Sequence, residues 1–226
     1  MSNTEFGNRI IYEDNHLLVV DKLAGELVQG DITGDVDLLS QAKAHIGKKH
    51  NKPGQVFMGL PHRLDRPTSG VVVLCRTSKS LTRIAESFRN RVPKKTYHCL
   101  VEGIPIPQES DLVNFLLKDG NKNKSYVTNN KKAKRAHLTY RILHAFSRYS
   151  LLEIDLHTGR HHQIRAQLAH AGHPIKGDLK YGAKRSNKNG NLCLHAQKIT
   201  IPHPITKDEL TFNSSTNYLD DWGFKI

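Results

Sequence analysis

Short apolar runs joined by tight polar turns constrain the fold of this chain more than any other feature. Ile10-Ile11-Tyr12-Glu13 and the run from His16 to Lys22 are separated only by Asp14-Asn15, which predicts a hairpin. Ala136 to Phe146 and Tyr149 to Leu156 alternate as two strands around Ser147-Arg148. Val71 to Leu74, Thr96 to Val101, Leu192 to Ile201 and Leu210 to Phe212 read as further strands. Helical spacing occurs in fewer places. Val36 to His50 has apolar residues at 36, 38, 39, 42 and 46, and Lys52-Pro53-Gly54 ends it. Ser78 to Arg91 carries the stripe Leu81, Ile84, Ala85 and Phe88, is capped by Thr77 or Ser78, and stops at Pro93. His162 to Ala171 is a third, short helix. Strands outnumber helices and βαβ alternation is missing. The expected class is therefore α+β: a mixed, mainly antiparallel β-sheet with flanking helices. There is no internal repeat and no linker. Residues 1–226 are expected to form one catalytic-sized domain, with material for two lobes around a central cleft.

Charge narrows the partners. Lys+Arg is 34 against 21 for Asp+Glu, a formal net charge of +13, which favours polyanions, nucleic acid first. Lys118, Lys122, Lys124, Lys131, Lys132, Lys134 and Arg135 face only Asp119 within residues 118–135, so seven cations less one anion supply +6 of that charge. This stretch reads as a basic loop or hairpin, either solvated or touching phosphates. No apolar run approaches the ~20 residues of a membrane span. The opening Met1-Ser2-Asn3-Thr4-Glu5 lacks the layout of a secretory signal. Cys75, Cys99 and Cys193 are odd in number and sit in strand-like contexts, which suits reduced, buried thiols in a cytoplasmic protein. His157, His161 and His162 are close in sequence, but no His-Glu-x-x-His or matching carboxylate set accompanies them. No metal and no cofactor are expected.

Three segments carry chemistry. Pro61-His62-Arg63-Leu64-Asp65-Arg66-Pro67-Thr68-Ser69-Gly70 places a carboxylate between two arginines in a turn-rich loop that feeds Val71-Val72-Val73-Leu74. A polar loop on a buried strand is a rigid holder for a reactive group. Flanking guanidinium groups favour the ionised carboxylate, an anionic nucleophile or base rather than a general acid. Asp flanked by Arg is also common in solvated surface loops, where it does little. The second segment, Lys94-Lys95-Thr96-Tyr97, opens a strand, where a tyrosine is ordinarily core. The third, Leu156-His157-Thr158-Gly159-Arg160-His161-His162-Gln163-Ile164-Arg165, runs from a strand end into a helix N-terminus, a natural anion site.

Together these segments resemble the RluA-type RNA pseudouridine synthases, in the short form without an S4-like RNA-binding module. The first matches that family's His-Arg-Leu-Asp, two variable residues, Thr-Ser-Gly; the second its Lys-x-Tyr; the third its Thr-Gly-Arg-x-His-Gln-Ile/Leu-Arg. Gly172-His173-Pro174-Ile175, Gly177-Asp178, Tyr181-Gly182 and Leu194-His195-Ala196 extend the match over roughly residues 10–212, and look structural. Two positions depart. Lys22-Leu23-Ala24-Gly25, followed by Glu26, replaces Lys-Pro-x-Gly, and His161 stands where a smaller residue is common.

The resemblance implies a pseudouridine synthase fold and isomerisation of a specific uridine in structured tRNA or rRNA. It assigns Asp65 as the catalytic anion, acting on sugar or base or removing a sugar proton. Tyr97 becomes the aromatic face for a flipped uracil, an interaction worth ~1–3 kcal/mol. Arg165 becomes the partner of Asp65, Ile164 the apolar wall beside it, and Arg63 the group that enters the RNA in place of the displaced nucleotide. Arg66 is left a phosphate contact. No membrane and no obligate protein partner are implied, and a monomer is expected. The competing reading is a non-catalytic RNA-binding or folding factor on the same fold. A metal nuclease or a two-carboxylate glycosidase lacks its required acids here.

Overall fold

The structure is a computed structural model that describes residues 5–51 and 53–225. The opening segment Met1 to Thr4 and the Lys52 part of the expected helix stop lie outside the described residues. The chain divides into two compact units, residues 1–93 with 197–217 and residues 94–196 with 218–226.

The first unit begins with β1 (Ile10–Glu13) and β2 (Leu17–Lys22), paired antiparallel. Their hairpin is fixed by Asp14, whose Oδ1 accepts the amides of His16 and Leu17 at 2.7 and 2.6 Å. This is an Asx turn, the local chemistry that makes Asp a turn residue. Strand β3 (Ser69–Cys75) lies antiparallel to β2 in continuous register from Leu17↔Cys75 to Lys22↔Gly70. Both strands are buried along their whole length, so their inner and outer faces each need a cover. Helix α1 (Leu38–Lys49) covers one, packing Leu38, Ala42 and Ile46 on Leu18, Val20, Val72 and Leu74. Helix α2 (Ser78–Arg89) covers the other, with Ile84 against Leu17, Val19, Val71 and Val73. Asp37 caps α1 and a Thr77–Ser80 capping box starts α2. The C-terminal part of β9 (Leu194–Pro202) and β10 (Glu209–Asn213) form a hairpin that adds Ile199, Ile201 and Phe212 to the α2 side.

The second unit is an antiparallel sheet in the order β4 (Lys94–Glu102), β8 (Tyr149–Leu156), β7 (Lys134–Ala145), β5 (Glu109–Asp119), β6 (Lys124–Val127). One face carries Leu138, Tyr140, Ile154 and Leu156 and packs on Ile164 and Leu168 of α3 (Gln163–His170). Beyond it, α4 (Tyr218–Trp222) contributes Leu219 and Trp222 to the same core. The α+β, mainly antiparallel class expected from the sequence is the one found. The expected basic stretch at 118–135 is a hairpin: β5 turns through 120–123 into β6, and β7 begins at Lys134. All three cysteines are buried and free.

Candidate active site

In the first unit the candidate site is built on the loop that enters β3. The Asp65 carbonyl accepts the amide of Thr68 at 3.0 Å, closing a turn over Arg66 and Pro67. Two residues on, Gly70 has φ 112°, a conformation that any side chain would strain. Directly opposite Gly70 in the register is Lys22. Its side chain is buried and folds back under the loop, where Nζ donates to the carbonyls of Leu23, Arg66 and Thr68 at 2.9, 2.9 and 2.7 Å. One side-chain nitrogen thus meets three carbonyls, of which Arg66 also accepts the Gly25 amide at 2.8 Å and Leu23 the Glu26 amide at 3.3 Å, and the Asp65 turn sits on it. Burial pushes Lys22 down to about 7, while Glu26 and Asp65 act the other way and Arg9 and Arg66 add to the fall. From the other side His62 holds the loop: its Nε2 accepts the Val73 amide at 2.9 Å and its ring stacks on Phe88 at 4.8 Å. An accepting Nε2 fixes the ring with its proton elsewhere.

The arginines beside Asp65 have different surroundings. Arg63 is exposed. Arg66 is exposed too, but its Nε donates to the Gly25 carbonyl at 3.0 Å and its Nη2 to Asp35 at 2.7 Å. It ties the loop to the segment before α1, a task in addition to the expected phosphate contact. Glu26, the departure from the family pattern, accepts Arg9 at 2.8 and 3.2 Å and the Leu23 amide at 3.2 Å. It closes the turn that a proline would otherwise stiffen.

In the second unit the Thr158–Arg165 segment is held by Gln163. Its Oε1 accepts Thr158 Oγ1 at 2.7 Å and the Arg160 amide at 3.0 Å, and its Nε2 donates to the His137 carbonyl at 3.1 Å. Helix α3 then starts abruptly from His162, which is left-handed at φ 51°. Arg165 lies one turn in and is buried. Asp178 grips it in a two-pronged ion pair, Nε to Oδ2 at 2.7 Å and Nη2 to Oδ1 at 2.9 Å, and Tyr181 lies under its guanidinium at 5.0 Å. That geometry fixes the direction of the guanidinium as well as its charge. Ile164 is buried in the α3 core cluster, and Tyr97 on β4 packs against the same cluster. Lys95, two residues before Tyr97 on the same face of β4, brings Nζ close to Gly159, 3.6 Å from where a Cβ there would stand. Burial pushes it down to about 8.

Asp65 and Arg63 therefore belong to the first unit, and Tyr97, Ile164 and Arg165 to the second. The structure joins Tyr97 and Ile164 through one core cluster. Lys22, which bonds the Asp65 turn, and Asp178, which pairs with Arg165, are not among the site residues expected from the sequence. The sequence signal for Lys22 is a charged end to the apolar run Leu17-Leu18-Val19-Val20, and Asp178 lies in the Gly177-Asp178 match, which looks structural.

The RNA pseudouridylate synthase family model matches residues 16–170, which include all three motif segments. The chain belongs to this family. It is 36% identical over 210 residues to ribosomal large subunit pseudouridine synthase C of Buchnera aphidicola, covering 89% of this chain and 65% of that one. It is 32% identical to tRNA pseudouridine synthase C of Pectobacterium carotovorum, covering 91% of this chain and 58% of the other. The chain thus spans roughly three fifths to two thirds of the length of these two relatives. Its fold is that of human RNA pseudouridylate synthase domain containing 4, with a TM-score of 0.81 at 21% identity, over 98% of this chain and 95% of that one. Among the described residues, no helix is long and apolar enough to cross a membrane.

Proposed function

We propose that this chain is an RNA pseudouridine synthase that isomerises a specific uridine of structured rRNA or tRNA to its C-glycoside. The observation that carries the reading is the Asp65 turn, complete in its sequence pattern and clamped from below by Lys22, in a chain of this family. The base must leave C1′, turn, and reattach through C5, and anionic Asp65 opens that sequence. Tyr97 gives the free base a face to stack on, and Ile164 lines the apolar side, so that the detached base is recaptured rather than lost to water. Arg165, aimed by Asp178, is the guanidinium that orients the aspartate. Arg63, exposed beside Asp65, stacks in the opened RNA, where extrusion of a base costs a few kcal/mol. The reaction is read as needing no cofactor or metal, and the enzyme as a cytoplasmic monomer.

Support for a ribosomal or transfer RNA substrate comes from the names of the two relatives, one a ribosomal large subunit and the other a tRNA pseudouridine synthase. The test is Asp65→Asn against the native chain, with uridine-specific chemical labelling of total RNA as the readout. Isomerisation is expected to vanish while RNA affinity stays within severalfold. Near-native turnover would end the proposal, and absence of modification by the native chain on any cellular RNA would return it to a non-catalytic RNA-binding factor.

A further inference from the structure

Strands β5 and β7 and the residue that follows β8 carry a second group of polar side chains, on the sheet face opposite α3. Side chains alternate across a strand, so Asp111, His137, Thr139 and His157 all point away from the core formed by Leu112, Leu138 and Leu156. Asp111 stands directly across from Thr139, and Val113 across from His137. The His157 amide donates to the His137 carbonyl at 3.2 Å, which brings the end of β8 alongside. The side chains converge on one point. His137 Nε2 lies 2.6 Å from Asp111 Oδ1; the Thr139 hydroxyl lies 2.8 Å from that same oxygen and 2.8 Å from His157 Nε2. The two imidazole rings are 4.3 Å apart.

We propose that Asp111, His137 and His157 form a binding site for a divalent transition-metal ion of the zinc class. The ligand atoms of the three residues all lie within 4.8 Å of one another. Bonds of ~2.0–2.2 Å to two imidazole nitrogens and one carboxylate oxygen make a three-ligand zinc set, completed by water. The widest pair must close by up to about 1.5 Å to reach tetrahedral spacing. Asp111 and His157 are exposed and can swing, while β5–β7 pairing holds the backbones of Asp111 and His137 and the His157 amide is bonded to the His137 carbonyl. The Thr139 hydroxyl, now bridging carboxylate and imidazole, becomes an outer partner that orients the carboxylate. Two nitrogen donors select zinc, nickel or copper over magnesium and calcium. Each ring would bind as neutral imidazole through a bare Nε2, with its remaining proton on Nδ1. No sequence motif announces the site, because its ligands come from β5, β7 and the residue that follows β8.

The place of the site gives it a consequence. His137 is also the residue whose carbonyl receives Thr158 and Gln163, the anchors of the arginine segment. An ion at this point ties together the strand ends from which that segment starts.

The experiment is calorimetric titration of Zn²⁺ into the untagged, chelator-treated chain, repeated on Asp111→Asn, His137→Gln and His157→Gln. One ion per chain is expected, with affinity falling at least about tenfold in each variant and unaffected by excess Mg²⁺. Cobalt substitution should give visible absorption bands of tetrahedral intensity in the native chain and weak ones in the variants. The half-buried His137 carries a folding risk, but Asp111→Asn and His157→Gln alter exposed side chains and decide the matter alone. Absence of a stoichiometric zinc site, or a site of equal affinity in those two variants, overturns the proposal. The isomerase reading stands or falls separately, on Asp65.

Discussion

Lys22 is the residue whose environment departs furthest from what its type suggests. Burial lowers it to about 7 in the folded chain, whereas an unfolded lysine titrates near ~10.4. Between those values the unfolded state holds the extra proton, so this residue's contribution to stability rises with pH across the window and is lost as pH falls towards 7. Chemical denaturation of the native chain and of Lys22→Met at pH 7.5 and about pH 9.5 should show the native chain gaining on the variant, by at most about 1.4 kcal/mol per pH unit. The variant should also be less stable by about 1–3 kcal/mol, since the buried Thr68 carbonyl loses this donor while those of Leu23 and Arg66 keep the amides of Glu26 and Gly25. A pH-independent difference would mean that Lys22 keeps its charge throughout. The pair Arg165–Asp178 follows a different rule. Truncating either member strands a buried charge and costs about 3–5 kcal/mol. Loss of activity in an Asp178 variant is therefore to be read together with its stability.

At the scale of elements, the basic hairpin is attached to the arginine segment rather than hanging free. The Ser125 amide donates to the Tyr181 hydroxyl at 2.8 Å, and His161 lies 3.0 Å from Ser125 Oγ and 3.1 Å from Asn123 Oδ1. The bulk at position 161 thus has a structural use, bridging α3 to the β5–β6 turn. Lys131, Lys132 and Lys134 remain exposed beyond it. Replacing all three by Gln should weaken RNA binding and reduce the slope of log affinity against log salt by about 2–3, the share of three phosphate contacts. An unchanged slope would make the hairpin a solvated one. Most elements were legible in the sequence because their chemistry is local: the Asx turn at Asp14, the Thr77 cap, the alternation of β7 and β8. Strand β5 was not. Leu112-Val113 and Phe115-Leu116-Leu117 break the period of two, and the strand is exposed or half-buried at all but Leu116. Its identity comes from pairing with β6 and β7, which no local pattern contains. Helix α4 was invisible for a similar reason: five residues held by contacts of Tyr218 with His98 and His195 rather than by propensity. Within the site, motif spacing located Asp65, Tyr97 and Arg165, whereas the partners that hold the Asp65 loop and Arg165 are distant in sequence and became visible only in three dimensions.

For the whole molecule, a formal charge of +13 makes the solvent's salt a control on function. Affinity for a substrate transcript should fall roughly a hundredfold or more between about 50 and 200 mM salt, as for about four phosphate contacts. Filter-binding across that range measures it, and a flat profile would separate this chain from polyanion recognition altogether. The hydrophobic cores lie within the two units, with β2, β3 and β9 supplying one and β4, β7 and β8 another. Strand β9 runs covalently through both, since Leu194 to Ala196 count with one unit and Gln197 onward with the other. The clamp beneath the Asp65 turn has a practical meaning for protein engineering. A loop grafted as a contiguous peptide would leave behind the ammonium that shapes it, which sits 44 residues upstream of Arg66 on another strand. A designer wishing to transplant this reactive aspartate must carry position 22 along with it, and with position 22 the backbone spacing of an adjacent pair of strands.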